Sequence, residues 1–204
     1  VHKYGGVVIA TVTTLKHAQA AQRDGADALI VTGHEAAGHG GAVTSLTLVP
    51  SIADAVDIPV IAAGGFADGR GLAAALALGA DGISMGTRFM NTVESPVHEI
   101  QKKLSIELSA FDTIYTDKFD GLPARMADTK GARKMMKKRL NPLSALFLSR
   151  KIAKLLGLPW MKIFLGIAFA GPKTAIKMAR MATGFKAFEV GTMDGDNVAG
   201  ILPL

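Results

Sequence analysis

Two stretches of this chain, RDGADALIVTG (23–33) and ALGADGISMGT (77–87), repeat one pattern: a helix end, Gly-Ala-Asp, a short apolar run, then a glycine. A helix that stops at a glycine and feeds at once into a buried strand is a β/α unit. Such units in series give a parallel sheet with right-handed crossovers. VVIATVT (7–13) and VIAAGG (60–65) are further short apolar runs without polar alternation, as strands covered on both faces require. Strands are therefore expected over 7–13, 28–33, 60–65 and 82–87. Helices are expected between them: TTLKHAQAAQRDGAD from a threonine cap to Gly25, VPSIADAVDIP stopping before Pro59, and DGRGLAAALALGAD from Asp68 to Gly79. Units of this kind build a (β/α)8 barrel or a doubly wound sheet. Four strands cannot close a barrel, so in a barrel half the wall would lie outside these 204 residues.

Charge divides the chain in two. Residues 101–186 carry 18 Lys and Arg against 5 Asp and Glu; the remainder carries 5 against 12. The change falls near ESPVHE and marks a second region with a different surface. There HEIQKKLSIELSAF reads as a helix and TDKFDGLPARMADT as irregular structure. NPLSALFLSRKIAKLLGLP has Asn141 as cap, Pro142 at the first helical position, and Gly157 and Pro159 as stops. GPKTAIKMARMA is helical again, and FEVGTMDGDNVAGILPL returns to a loop or strand style. The expected organisation is 1–95 for the barrel part, 96–186 for a basic helical lid and 187–204 for a return to the barrel. The basic run KGARKMMKKRL has no aromatic interleaving and no nucleic-acid fold around it, which argues against nucleic acid. The longest apolar stretch near the C-terminus, IFLGIAFAG, is far short of the ~20 residues of a membrane span. There is no cysteine, which removes disulfides, thiolate metal sites and cysteine nucleophiles and fits a cytoplasmic location.

The chemistry is expected where strands end. VIAAGGFADG and ISMGTRF place glycines at strand C-termini, where parallel α/β folds build their sites. Bare backbone lets a phosphate approach amide N–H groups, and a following helix N-terminus favours the anion. Either segment alone would also serve a tight βα turn. Two on consecutive strands, with Thr87 and Arg88 able to donate, favour phosphate binding. GHEAAGHGG (33–41) sits at the same end of the preceding strand. Its glycines permit a flat ring to lie against backbone, and its histidines can act as acid or base near neutral pH. His34 reads as a structural histidine of the loop. His39, expected to be buried among glycines, is the functional candidate.

GHEAAGHGG, TSLTLVPSI, IPVIAAGGFADGRGLAAALALGADGISMGTRF and ES-x-x-H together resemble the nitronate monooxygenase (2-nitropropane dioxygenase) family, whose superfamily includes FMN-dependent enoyl-ACP reductases. The likeness is continuous over residues 1 to about 100, weakens through the helical part and recovers in FEVGTMDGDNVAGILP. It implies an FMN-binding TIM barrel with an inserted helical lid. It also implies that this chain is an internal fragment holding the C-terminal half of that barrel, expected by itself to bind FMN poorly. On the resemblance, His39 transfers the proton at the substrate carbon and Gly38 lies near the flavin. Gly64, Gly65, Met85, Gly86 and Thr87 form the FMN phosphate cup, with Ser84 where relatives often have glutamine. The implied reaction is oxidation of alkyl nitronates or nitroalkanes with O2 to carbonyl compounds and nitrite. The alternative is an enoyl reductase using NAD(P)H, for which the basic lid would meet an acidic acyl carrier protein. A third possibility is a non-catalytic flavin- or phosphate-binding barrel. IMP dehydrogenase-like barrels share the cup but need the cysteine this chain lacks.

Overall fold

The computed structural model describes residues 1–118, 121–137, 148–150, 152–154, 157–169, 171 and 173–180. These divide into two compact units, Val1–Val97 and the described residues from His98 onward.

In the first unit the strands β1 (Ile9–Val12), β2 (Ala28–Thr32), β4 (Val60–Ala63) and β5 (Gly82–Ser84) pair in parallel in the order β1-β2-β4-β5. A two-residue strand, β3 (Gly38–His39), lies in the loop after β2. Helices α1 (Leu15–Arg23), α2 (Ser45–Ala53) and α3 (Gly69–Ala77) join the paired strands. The core is one-sided. Val12, Leu29, Val31, Val60 and Ala62 from the strands meet Ala18, Leu48, Val49, Ile52 and Ala75 from the helices. Leu29 and Ile52 are fully buried, and each such side chain contributes roughly 1.5–3 kcal/mol. The alternate residues Thr11, Ile30, Ile61 and Gly82 share one register across the opposite face. A doubly wound sheet reverses its strand order and carries helices on both faces. Sequential order with helices packed on one face is instead the wall of a (β/α)8 barrel, here four strands of it.

The local signals explain most of these boundaries. Thr14 caps α1 by accepting from the His17 amide, and Gly25, at φ +93°, takes the chain out of it. Asp27 then accepts from the Val8 amide and pairs with His2, while Asp81 accepts from the Val60 amide. The repeated Gly-Ala-Asp thus ties each strand start to its neighbour. The helix expected over 49–58 is displaced: α2 starts at Ser45, carries Pro50 inside it and ends at Ala53. Pro50 removes one helical hydrogen bond, and the start is secured by a carboxylate from outside the helix, described below.

Asp68 caps α3, accepting from the Arg70 and Gly71 amides. The Arg70 guanidinium, bonded to it at 2.6 Å, and the Gly71 amide hold the Asp68 carboxyl down at about 2. A carboxyl depressed in the folded state stabilises it above the unfolded value of about 4, and that share is lost as pH falls towards 2. Because the pair is exposed, the effect is small. Asp68→Asn keeps a capping oxygen but cannot ionise. Its melting temperature should fall slightly below that of the unsubstituted protein near neutral pH, and the gap should close between about pH 4 and pH 2. A gap independent of pH, followed by thermal melting, would contradict this origin.

In the second unit α5 (Glu99–Glu107) is capped by His98, whose Nδ1 accepts from the Ile100 amide. The segment expected to be irregular, 116–129, instead supplies much of an antiparallel hairpin. Its strands β6 (Thr113–Thr116) and β7 (Ala124–Ala127) pair Thr113 with Ala127 and Thr116 with Ala124. Ala124, Met126 and Ala127 are buried there, while Arg125 lies over the Tyr115 ring and donates to the Thr113 hydroxyl. The basic segment forms α6 (Lys130–Lys137), anchored by buried Ala132 with Lys130, Arg133, Lys134 and Lys137 exposed. A helix over Trp160–Phe169 buries Ile163 and Ile167 with Ile152, Ala153, Ala175 and Ala179. The expectations at Asn141 and Pro142 and over 187–204 lie outside the described residues. Among the described residues no helix is long and apolar enough to cross a membrane.

Candidate active site

The register Thr32–Ala63–Ser84 makes the chain leave the sheet side by side at Gly33, Gly64 and Met85. The GHEAAGHGG loop lies across this edge. The Gly33 amide donates to the Ala63 carbonyl at 3.0 Å, and the Ala36 amide turns back to the Gly33 carbonyl at 3.1 Å. Gly64 packs so closely that a Cβ there would stand 3.0 Å from the Ala36 nitrogen and 3.2 Å from the Gly33 oxygen. A Cβ on Gly65 would stand 3.1 Å from the Glu35 Cβ. At the loop's far end a Cβ on Gly41 would stand 2.9 Å from the carbonyl oxygen of Thr13, the residue after β1. The loop therefore runs from the end of β4, over β2, to the end of β1.

Two sets of hydrogen bonds close it. The His34 amide donates to the Val43 carbonyl at 2.9 Å, and His34 Nδ1 donates to the Gly41 carbonyl at 3.2 Å. A carbonyl only accepts, so this contact places the proton on Nδ1. The Glu35 carboxylate accepts from the Ser45 amide at 2.9 and 3.1 Å and from the Ser45 hydroxyl at 2.9 Å. Ser45 is buried, and its hydroxyl also lies 3.1 Å from the Gly64 carbonyl. Thr44, the cap residue of α2, makes no side-chain cap bond, so Glu35 serves the helix from ten residues away.

His39 stands on the crest between these closures, in β3. It is exposed, which corrects the expectation of a histidine buried among glycines. Gly38 has φ +77° and open space where a Cβ would be, so its backbone turns outward rather than into a packed pocket. An exposed imidazole on a pinned glycine-rich loop can give or take a proton from a small molecule seated over it.

The two glycine-rich strand ends differ from each other. Gly64 and Gly65 have φ +97° and +81° and are packed against the histidine loop. The first amides of α3 beyond them are taken by the Asp68 carboxylate. At β5, Ser84 and Met85 are half-buried, and Gly86 has open space on its Cβ side. Thr87 opens a short helix, α4 (Thr87–Met90), for which no side chain serves as cap. Of the two ends, Ser84–Arg88 is the better match to a phosphate: open backbone, a hydroxyl and a guanidinium, with no carboxylate on the amides. Glu35, Ser45, Gly33 and the Gly41–Thr13 contact were not picked out from the sequence. The available signal was an apolar helix opening at Thr44-Ser45 with no acidic residue in its first turn.

The family model described as nitronate monooxygenase matches residues 1–162. The chain belongs to the nitronate monooxygenase family. Within reach of that family it is 52% identical over 125 residues to (3aS,4S,5R,7aS)-5-hydroxy-7a-methyl-1-oxo-octahydro-1H-indene-4-carboxyl-CoA dehydrogenase of Rhodococcus jostii, covering 61% of this chain and 35% of the relative. Among solved structures, FabK from Thermotoga maritima is 36% identical with a TM-score of 0.65, over 92% of this chain and 64% of that one. Nitroalkane oxidase from Streptomyces ansochromogenes is 27% identical with a TM-score of 0.69, over 99% of this chain and 52% of that one. The chain thus spans between about a third and two thirds of the length of these relatives.

Proposed function

We propose that this chain carries the proton-transfer loop and the phosphate end of the flavin site of an FMN-dependent oxidoreductase. Its substrates are alkyl nitronates and nitroalkanes, which it oxidises with O2 to carbonyl compounds and nitrite. The observation that supports this reading is the packing of the His39 loop directly on the Gly64–Gly65 turn, at the sheet edge where Ser84–Thr87 also emerges. Residues 1–95 are assigned to the barrel, 96–186 to the lid and 187–204 to the return to the barrel.

The open backbone at Gly86, with Ser84, Met85 and Thr87, would hold the FMN phosphate, and Gly64 and Gly65 would shape the cup beside it. Gly38, free of a side chain and open, would admit the edge of the ring. FMN, when bound, supplies electron acceptance from the substrate and onward reaction with oxygen. The chain's own part is proton handling. With a neutral nitroalkane the His39 imidazole takes the proton from the carbon bearing the nitro group, leaving the nitronate. With a nitronate already formed, the protonated imidazole donates a hydrogen bond to the anion and orients it.

A second reading is favoured by the 52% identity to the carboxyl-CoA dehydrogenase. A carbon next to a thioester carbonyl is also a weak acid, and His39 would handle its proton in the same way. Steady-state assay of the complete flavin-loaded protein separates the two. Nitronate-dependent oxygen uptake with release of nitrite is expected. Absence of uptake with nitronate, together with turnover of an alicyclic acyl-CoA thioester, would replace the first reading by the second.

A further inference from the structure

We infer that Glu35 and Ser45 are positioning residues: a clamp that sets the His39 loop and the Gly64–Gly65 turn in one fixed relation. The inference rests on the proposed role of His39. Three backbone segments meet at this clamp. Glu35 stands in the histidine loop, Ser45 opens α2, and the Gly64 carbonyl belongs to the turn after β4. Glu35 takes the Ser45 amide with both oxygens and the hydroxyl with one, a charge-assisted set at a helix N-terminus. The Ser45 hydroxyl has one proton to share between Glu35 and the Gly64 carbonyl, whereas the amide bond to Glu35 is kept in either case.

The packing around this point leaves no slack. A Cβ on Gly33 would stand 2.1 Å from Ser45 Oγ and 2.7 Å from its nitrogen. A Cβ on Gly64 or Gly65 would press on Ala36 or Glu35. A local cap could have served α2, since Thr44 stands at the cap position with its side chain unused for it. A carboxylate from the histidine loop does so instead, and the backbone on the two sides of residues 36–40 is fixed by Glu35 and by the His34 contacts to Gly41 and Val43. Glu35 and His34 therefore help to set the backbone that carries His39, although neither need touch the substrate.

The test uses Glu35→Ala, Glu35→Gln and Ser45→Ala in the complete protein, with two readouts. The first is amide hydrogen exchange without flavin or substrate. Glu35→Ala should raise exchange across 34–45 while β2 and β4 stay as protected as before. The second is turnover of the flavin-loaded protein with a neutral nitroalkane against its nitronate. Misplacing a base by about an ångström costs on the order of a hundredfold, so nitroalkane turnover should fall roughly a hundredfold and nitronate turnover by about tenfold or less. Glu35→Gln, which keeps an acceptor for the Ser45 amide, should recover most of both losses. Unchanged exchange over 34–45 in Glu35→Ala, or equal loss on both substrates without recovery by glutamine, would overturn the clamp. Should Glu35→Ala fail to fold, Ser45→Ala decides: raised exchange at 64–66 supports the link to Gly64, and unchanged exchange refutes it. A protein that ignores nitronate before any substitution would remove the proposed function, and the exchange data would still decide the clamp.

Discussion

His39→Ala should lower turnover of a neutral nitroalkane by about 10²- to 10⁴-fold, the usual worth of a general base, and turnover of the matching nitronate far less. The two substrates differ by the one proton that His39 is assigned to move. A nitroalkane must lose it in the active site, whereas a nitronate arrives without it and needs only orientation. The exposed position of His39 on a pinned loop suits this role, because the ring must meet a diffusing molecule. The check is kcat/KM for both forms of one substrate, with the nitronate prepared in base and assayed before it reprotonates. Equal loss on both would remove the base assignment and leave His39 a binding residue.

The second large effect separates two glycines with the same assignment. Gly64→Ala should destabilise the protein by about 3 kcal/mol. Roughly 1–2 kcal/mol comes from holding alanine at φ +97°, and the rest comes from pressing a methyl group onto Ala36 and the Gly33 carbonyl, where overpacking costs about 1–3 kcal/mol. Against a total stability of about 5–15 kcal/mol this is a large loss. Gly86→Ala should leave stability within about 0.5 kcal/mol, because φ is −84° and nothing stands within 4 Å of the new methyl. That methyl would instead occupy the space a phosphate needs, so FMN affinity should drop. Urea unfolding and flavin titration of the two variants check the contrast. A destabilised Gly86→Ala, or one that binds FMN as tightly as before, would contradict the placement of the phosphate.

The parts of the fold legible in the sequence are those whose causes are local. Thr14, Gly25, Asp68 and Gly79 bound α1 and α3 by their own side chains or positive φ, and the Gly-Ala-Asp repeat marks β2 and β5. Residue patterns alone left a barrel wall and a doubly wound sheet open; the family resemblance implied the barrel, and the sheet order and one-sided core agree with it. Errors arose where the cause is distant in sequence. The start of α2 is secured by Glu35, ten residues upstream, while its own cap residue Thr44 makes no side-chain cap bond. The β6–β7 hairpin was hidden because ARMA is four residues long and mixes alanine with arginine, so burial of Met126 and Ala127 shows only after pairing. Four glycines around His39 read as a buried cradle. Gly33, Gly40 and Gly41 pack instead against Ser45, the Gly33 carbonyl and Thr13, while Gly38 faces open space, and the histidine is exposed. The residue types at this sheet edge were therefore readable, and their mutual arrangement was not.

The central claim is that this glycine-lined sheet edge belongs to a flavin site that takes electrons from nitronates. The most direct measurement is anaerobic mixing of the complete FMN-loaded protein with an alkyl nitronate while the flavin absorbance is followed. Rapid loss of the oxidised flavin band, at a rate that accounts for turnover, is the expected result. A band unmoved by nitronate, but bleached by NADH or by an acyl-CoA thioester, would contradict the claim and assign the site to enoyl reduction or to thioester dehydrogenation.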